Sequence, residues 1–144
     1  MRELGIIEPS TATRYSHVHL TPKPNGKWRF CIDYRYLNSC TTAIPGYLPR
    51  IRDIIDRVGR TKPMFFAVMD FTSGFHQTTL DASCRAFTAF WTAEGVYQWI
   101  RVPMGLKDPP KYFQQVMQQV LGAELHKSCE LYLDDCIIFG KTEE

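Results

Sequence analysis

At 144 residues the chain has a one-domain length and can bury a genuine core, about two thirds of its unfolded surface. An apolar share of 44%, a charged share of 22% and a net charge of +2 exclude a disordered or fibrous chain and carry no overall signature of a nucleic-acid binder, so any basic surface must be local. No stretch approaches about 18 consecutive apolar residues and no apolar leader opens the chain, so neither a membrane span nor a secretory signal is expected.

Residues 1–10 read as the tail of a preceding element, with Gly5 closing a helical turn ahead of Pro9. Residues 17–33 carry strand patterning on either side of Lys23-Pro24-Asn25-Gly26-Lys27, which predicts a hairpin with a basic tip. Lys23, Lys27, Arg29 and Arg35 form one basic cluster. Arg50, Arg52, Arg57, Arg60 and Lys62 form a second, whose simplest account is a solvated helix face. That helix is predicted to start at Pro49 and close at Gly59, with Ile51, Ile54, Ile55 and Val58 as its core stripe. The unbroken apolar run 64–69 predicts a strand buried on both faces and ending at Asp70.

Residues 86–91 and 96–102 predict a second strand pair around Glu94-Gly95. Pro109-Pro110 opens a helix with Phe113, Val116, Met117, Val120 and Leu121 on its core side. The last element is a hairpin, residues 131–139, with Asp134-Asp135 at its tip. Five cysteines, Cys31, Cys40, Cys84, Cys129 and Cys136, are odd in number and lack Cys-x-x-Cys spacing, so reduced and mostly buried thiols are expected. The fold class that follows is α+β: an antiparallel sheet backed by helices on one face, in one domain spanning 1–144.

Adjacent carboxylates on a rigid turn repel by roughly 4 kcal/mol at ~4 Å in an effective dielectric of about 20. A solvated turn is the bland account of such a pair. A cation is the functional one, because Mg²⁺ takes one or two carboxylates and fills its other positions with water and substrate phosphates. In the predicted fold Asp70, at a strand end, converges with the pair.

Five landmarks appear in order: Gly5-Ile6-Ile7-Glu8-Pro9-Ser10, Trp28-Arg29-Phe30-Cys31-Ile32-Asp33-Tyr34-Arg35, Asp70-Phe71-Thr72-Ser73-Gly74-Phe75-His76-Gln77, Val102-Pro103-Met104-Gly105-Leu106 and Tyr132-Leu133-Asp134-Asp135. Through nearly its whole length the chain resembles reverse transcriptases, most closely those of gypsy-type LTR retrotransposons. The resemblance implies an RNA-directed DNA polymerase palm over residues 64–140 with a fingers hairpin at 17–33. It implies catalysis with two Mg²⁺ ions, which Mn²⁺ can replace, held by Asp70, Asp134 and Asp135. Lys23 and Arg29 would grip the nucleotide triphosphate, Phe71 would offer a backbone carbonyl, Phe75 would exclude a 2′-hydroxyl, and Met104 and Gly105 would line the nucleotide pocket. Tyr132, Leu133 and Gln77 would face primer and template, and His76 would be a hydrogen-bonded structural residue.

The implied partners are an RNA or DNA template with its primer, deoxynucleoside triphosphates and the remaining polyprotein regions: thumb, ribonuclease H and integrase. No membrane is implied. The implied location is intracellular: cytoplasm, virus-like particle or nucleus. Lys107-Asp108-Pro109-Pro110-Lys111 departs from the family's small, Ala-Pro pattern near the template path, and the sequence ends before a thumb, so a polyprotein fragment or a decayed copy is expected. Two rival readings stay open: a noncatalytic remnant that binds nucleic acid or a protein partner, and a metal-dependent nuclease or phosphohydrolase.

Overall fold

The computed structural model describes residues 1–142. In chain order the elements are β1 (Ile7–Pro9), β2 (Val18–Pro22), β3 (Trp28–Ile32), α1 (Arg35–Cys40), α2 (Ile51–Thr61), β4 (Phe65–Asp70), α3 (Ala82–Arg85), β5 (Phe90–Thr92), β6 (Gly95–Trp99), α4 (Pro109–Leu121), β7 (Cys129–Tyr132) and β8 (Asp135–Gly140). The strands pair antiparallel in three sheets, β1-β6-β5, β2-β3 and β4-β8-β7, in keeping with the α+β class. Two compact units result: Met1–Ala43 with Phe75–Pro109, and Ile44–Gly74 with the chain from Pro110 on. No helix among the described residues is long and apolar enough to cross a membrane.

In the first unit the predicted hairpin forms, with Val18 opposite Ile32 and Pro22 opposite Trp28. Gly26 takes the left-handed conformation its turn requires, at φ +75°. Tyr34, Phe90 and Trp99 make the buried core. The Tyr34 hydroxyl donates to the Thr88 carbonyl at 2.8 Å, and the Thr88 hydroxyl accepts from Trp99 N–H at 3.1 Å.

Two expectations are corrected in this unit. The N-terminal segment is a strand of its own: β1 pairs with β6, and Ile6 and Ile7 pack against the core, which supplies the nucleus that a bare tail lacks. Residues 86–88 are helical rather than extended, continuing a short helix whose N-cap Asp81 accepts from Ser83 N–H at 2.9 Å. The strand begins only at Phe90.

In the second unit β8 lies between β4 and β7. Met117 and Leu121 of α4 pack on Cys129, Leu131 and Cys136. Arg57 of α2 pairs with Glu130, the neighbour of Leu131 along β7. Successive strand residues face opposite ways, so helices touch both faces at the β7 side. The β4 side is bare, and this overturns the expectation of a strand buried on both faces: every residue of β4 is exposed, Val68 by 69%. Its only strand neighbour among the described residues is β8, and an edge strand is left open where no layer covers it.

α2 runs to Thr61 rather than stopping at Gly59; Lys62 takes the left-handed cap position at φ 48° and donates its N–H to the Gly59 carbonyl. Of its expected core stripe Ile54 is buried, while Ile51 and Ile55 are exposed. Val120 of α4 is likewise exposed. Two of the five cysteines, Cys129 and Cys136, are buried rather than most of them, and all five are free thiols.

Candidate active site

The register of the second unit's sheet brings the acids together. β4 runs antiparallel to β8 so that Asp70 stands directly opposite Asp135, and β7 pairs Tyr132 with Asp135 across the same turn. Leu133 and Asp134 form the turn, and the Phe71 N–H, just past the end of β4, donates to the Asp134 carbonyl at 3.2 Å. Like charges placed directly opposite on neighbouring strands destabilise a sheet. Asp70 and Asp135 are exposed, while Asp134 is half-buried. Its Oδ1 is buried with no hydrogen-bond partner among the described residues. Burial first, then the charges of Asp70 and Asp135, push the Asp134 carboxyl above the ordinary carboxylate range.

The turn beneath these acids is held from α4. Leu133 sits in the left-handed region at φ 54°, a conformation an L-residue with a β-carbon takes only under constraint. Gln114, which is 1% exposed, accepts from Leu133 N–H through Oε1 at 2.8 Å and donates through Nε2 to the Leu131 carbonyl at 3.2 Å. Gly74 closes the cradle. A β-carbon there would lie 2.8 Å from Cζ of the Phe113 ring and 3.2 Å from Asp134 Oδ1. Gly74→Ala is therefore expected to cost about 1–3 kcal/mol, seen as a lower midpoint in chemical denaturation, because the buried ring has to move. An unchanged midpoint would mean that the packing here is looser than the distances imply.

The first unit gathers a different set. A cavity of about 130 Å³ is lined by Arg29, Cys31, His76, Trp99, Met104 and Gly105, among others. His76 stacks on Trp99 with ring centres 5.1 Å apart, and its Nδ1 lies 3.0 Å from the Val102 carbonyl. A carbonyl only accepts, so that nitrogen carries the proton. Gly105 has φ +93°, and Asn38 brackets it, donating to the Gly105 carbonyl at 2.8 Å and accepting from Lys107 N–H at 2.9 Å. Lys23 stands apart from the cavity lining, in the exposed turn of the hairpin. Phe75 and Gln77 lie in a single 3₁₀ turn, Gly74–Gln77.

Gln114, Asn38 and Gly74 are the residues the sequence reading missed. The two amides carry no local signal of their partners, which lie 17 to 19 and 67 to 69 residues away. Gly74 could be found only as part of the Asp70–Gln77 motif.

Among the described residues no three His, Cys, Asp or Glu side chains form a ready-made metal cage. Mg²⁺ does not need one, since it retains waters and borrows phosphate oxygens. Hard carboxylate oxygens, one of them buried and unpartnered with its proton affinity raised by burial and then by two neighbouring acids, fit such a cation.

Comparison with known proteins bears on the family and the fold. Residues 21–144 match the family model for reverse transcriptase (RNA-dependent DNA polymerase). The Pol polyprotein of transposon 412 from Drosophila melanogaster is 41% identical over 145 residues, 96% of this chain and 12% of that polyprotein. In fold, the chain matches the protease-reverse transcriptase of prototype foamy virus with a TM-score of 0.84 at 23% identity, over 95% of this chain and 18% of that one. A foamy viral protease-reverse transcriptase in complex with an RNA/DNA hybrid matches with a TM-score of 0.79 at 21% identity, over 96% and 18% of the two chains. The chain thus spans a small part of the proteins it matches, the Pol polyproteins of transposons 412 and gypsy among them, and the family model covers most of its length: it belongs to the reverse transcriptase family.

Proposed function

We propose that this chain is the nucleotidyl-transfer core of an RNA-directed DNA polymerase, with Asp70, Asp134 and Asp135 as its catalytic acids. The observation that carries this is the meeting of the three acids at one sheet end, with Asp134 Oδ1 buried and unpartnered. Asp70 and Asp134 would hold a pair of Mg²⁺ or Mn²⁺ ions, with the Phe71 carbonyl as a further ligand and Asp135 tuning the field. Bound there, the metal supplies Lewis acidity toward the primer 3′-hydroxyl and the departing pyrophosphate. The chain's own residues position and discriminate. In the first unit Arg29 offers a guanidinium to a triphosphate, Lys23 adds charge from the exposed hairpin turn, and Met104 and Gly105 shape the wall where a base would pack. Phe75 presents a ring to the sugar, and Tyr132, Leu133 and Gln77 face primer and template. The template is RNA or DNA, as in the foamy viral complex with an RNA/DNA hybrid. The thumb, ribonuclease H and integrase regions of a polyprotein would complete the enzyme.

Primer extension on an RNA template, with deoxynucleotides and Mg²⁺ or Mn²⁺ at high protein concentration, tests the reading. Extension by the native chain that disappears in Asp134→Asn/Asp135→Asn is the expected result. Extension that survives in the double variant would remove the chemistry from these acids. A folded chain that binds Mn²⁺ but extends nothing would point instead to a noncatalytic remnant.

A further inference from the structure

We infer that Gln114 is a positioning residue for the candidate metal site, acting through the backbone of Leu133. The inference rests on reading the acids as a cation site. Leu133 immediately precedes Asp134, so its φ of 54° sets the direction in which the chain presents that carboxylate. The two-residue hairpin loop between Tyr132 and Asp135 calls for a positive φ here, and leucine resists it, having a β-carbon and no polar group to hydrogen-bond its own backbone. A further constraint comes from α4. One buried amide pairs with both backbone groups that flank the turn, accepting from Leu133 N–H at 2.8 Å and donating to the Leu131 carbonyl at 3.2 Å. The partners also fix which way the amide points, because the N–H requires an acceptor and the carbonyl a donor.

The geometry leaves little to replace it. At 1% exposure Gln114 is shut off from bulk water, so its loss strands both backbone groups in the interior. The turn would then relax toward a conformation that solvates them, and Asp134 would move with it. Two other ties hold the backbone on either side of Leu133: the Tyr132–Asp135 pairing that closes the hairpin, and the Phe71 N–H to the Asp134 carbonyl; neither bonds the Leu133 N–H that Gln114 holds. Groups that orient metal ligands from behind typically change metal affinity by about 10- to 100-fold when removed.

The test uses Mn²⁺ alone, titrated by electron paramagnetic resonance, so that it does not depend on polymerase activity. Gln114→Leu is expected to weaken Mn²⁺ binding by about 10- to 100-fold. Adding Leu133→Gly to that variant should recover much of the loss, because glycine reaches the left-handed region unaided. Leu133→Val, with Gln114 intact, should weaken binding in the same direction, and it decides the matter if Gln114→Leu does not fold. Unchanged Mn²⁺ affinity in a folded Gln114→Leu or in Leu133→Val, or a double variant no better than Gln114→Leu, would overturn the inference.

If the native chain itself binds no Mn²⁺, the cation reading fails, and amide hydrogen exchange at Leu133 then tests the hold on the turn. Strong protection in the native chain that is lost in Gln114→Leu, or in Leu133→Val where that variant does not fold, would support it. Rapid exchange in the native chain would overturn it.

Discussion

Asp134→Asn is expected to raise the melting temperature of the metal-free chain by a few degrees, while removing the Mg²⁺ response and the primer extension that the proposed function calls for. The native turn places a half-buried carboxylate beside two others, and burial together with those charges raises its proton affinity. Asparagine keeps the shape and removes the charge. The sign of the pH dependence follows from linkage. A carboxyl whose folded pKa is raised binds its proton more tightly folded than unfolded, so stability falls as pH climbs from the ordinary carboxylate value through the raised one. In metal-free melts across that window the native chain should therefore lose more stability with rising pH than Asp134→Asn does. Mg²⁺ or Mn²⁺ should reverse the native penalty, because a cation that binds only the folded state stabilises it by mass action.

If the acids act as proposed, losing one of them would remove several kcal/mol of charge stabilisation, about 10³-fold in rate at 4 kcal/mol. The combination is diagnostic. A structural aspartate would give a variant that is less stable and indifferent to metal. A variant that melts lower than the native chain without metal would count against mutual repulsion at the site.

The placement of the acids was legible in the sequence because each of them ends a locally patterned element. An apolar run ending at Asp70 and a hairpin with acids at its tip each predict a strand end, and the antiparallel register then places Asp70 opposite Asp135. The basic-tipped hairpin at β2 and β3 was legible for a similar reason, since Asn25-Gly26 dictates its own turn. What failed depended on layers rather than on local pattern. An apolar run says that a strand prefers burial, not that anything covers it, and β4 lies bare at the sheet's edge. The same holds for Ile51 and Ile55 on α2, whose helical spacing is right and whose neighbours are missing. Gln114 was illegible for another reason: polar residues acquire meaning from partners far along the chain, and a helix pattern that places Phe113 in the core says nothing of the amide beside it.

The second large effect is expected on the opposite side of the same sheet. Glu130, 1% exposed, receives two bonds from Arg57, at 2.7 Å from Nε and 2.9 Å from Nη2, and lies 2.9 Å from His126 Nδ1. Burial pushes its carboxyl up, and the bonds from Arg57 and His126 more than offset this, so its folded pKa is lowered overall. Arg57→Met keeps the aliphatic stem and strands the buried carboxylate with a half-exposed histidine. Breaking a buried pair from one side costs about 3–5 kcal/mol, and the low end applies because Arg57 is 35% exposed and water already screens part of the attraction. At about 2–4 °C per kcal/mol, the melting temperature should fall by roughly 6–12 °C.

A group with a lowered folded pKa contributes its stability above the ordinary carboxylate pKa and loses it as pH falls through the folded value. The gap between native and Arg57→Met should therefore be widest near neutrality and close as acid protonates Glu130. Replacing both partners removes the stranded charge, so Arg57→Met/Glu130→Leu should melt well above the single variant. A single variant within about 1 kcal/mol of native would mean that the pair behaves as an exposed bridge. The consequence reaches the site, because Glu130 lies on the strand that delivers Tyr132 and the turn to the acids. An α2 that no longer grips β7 leaves the hairpin held by β4 along β8 and by α4 on the other face, with the face that bears Glu130 uncovered.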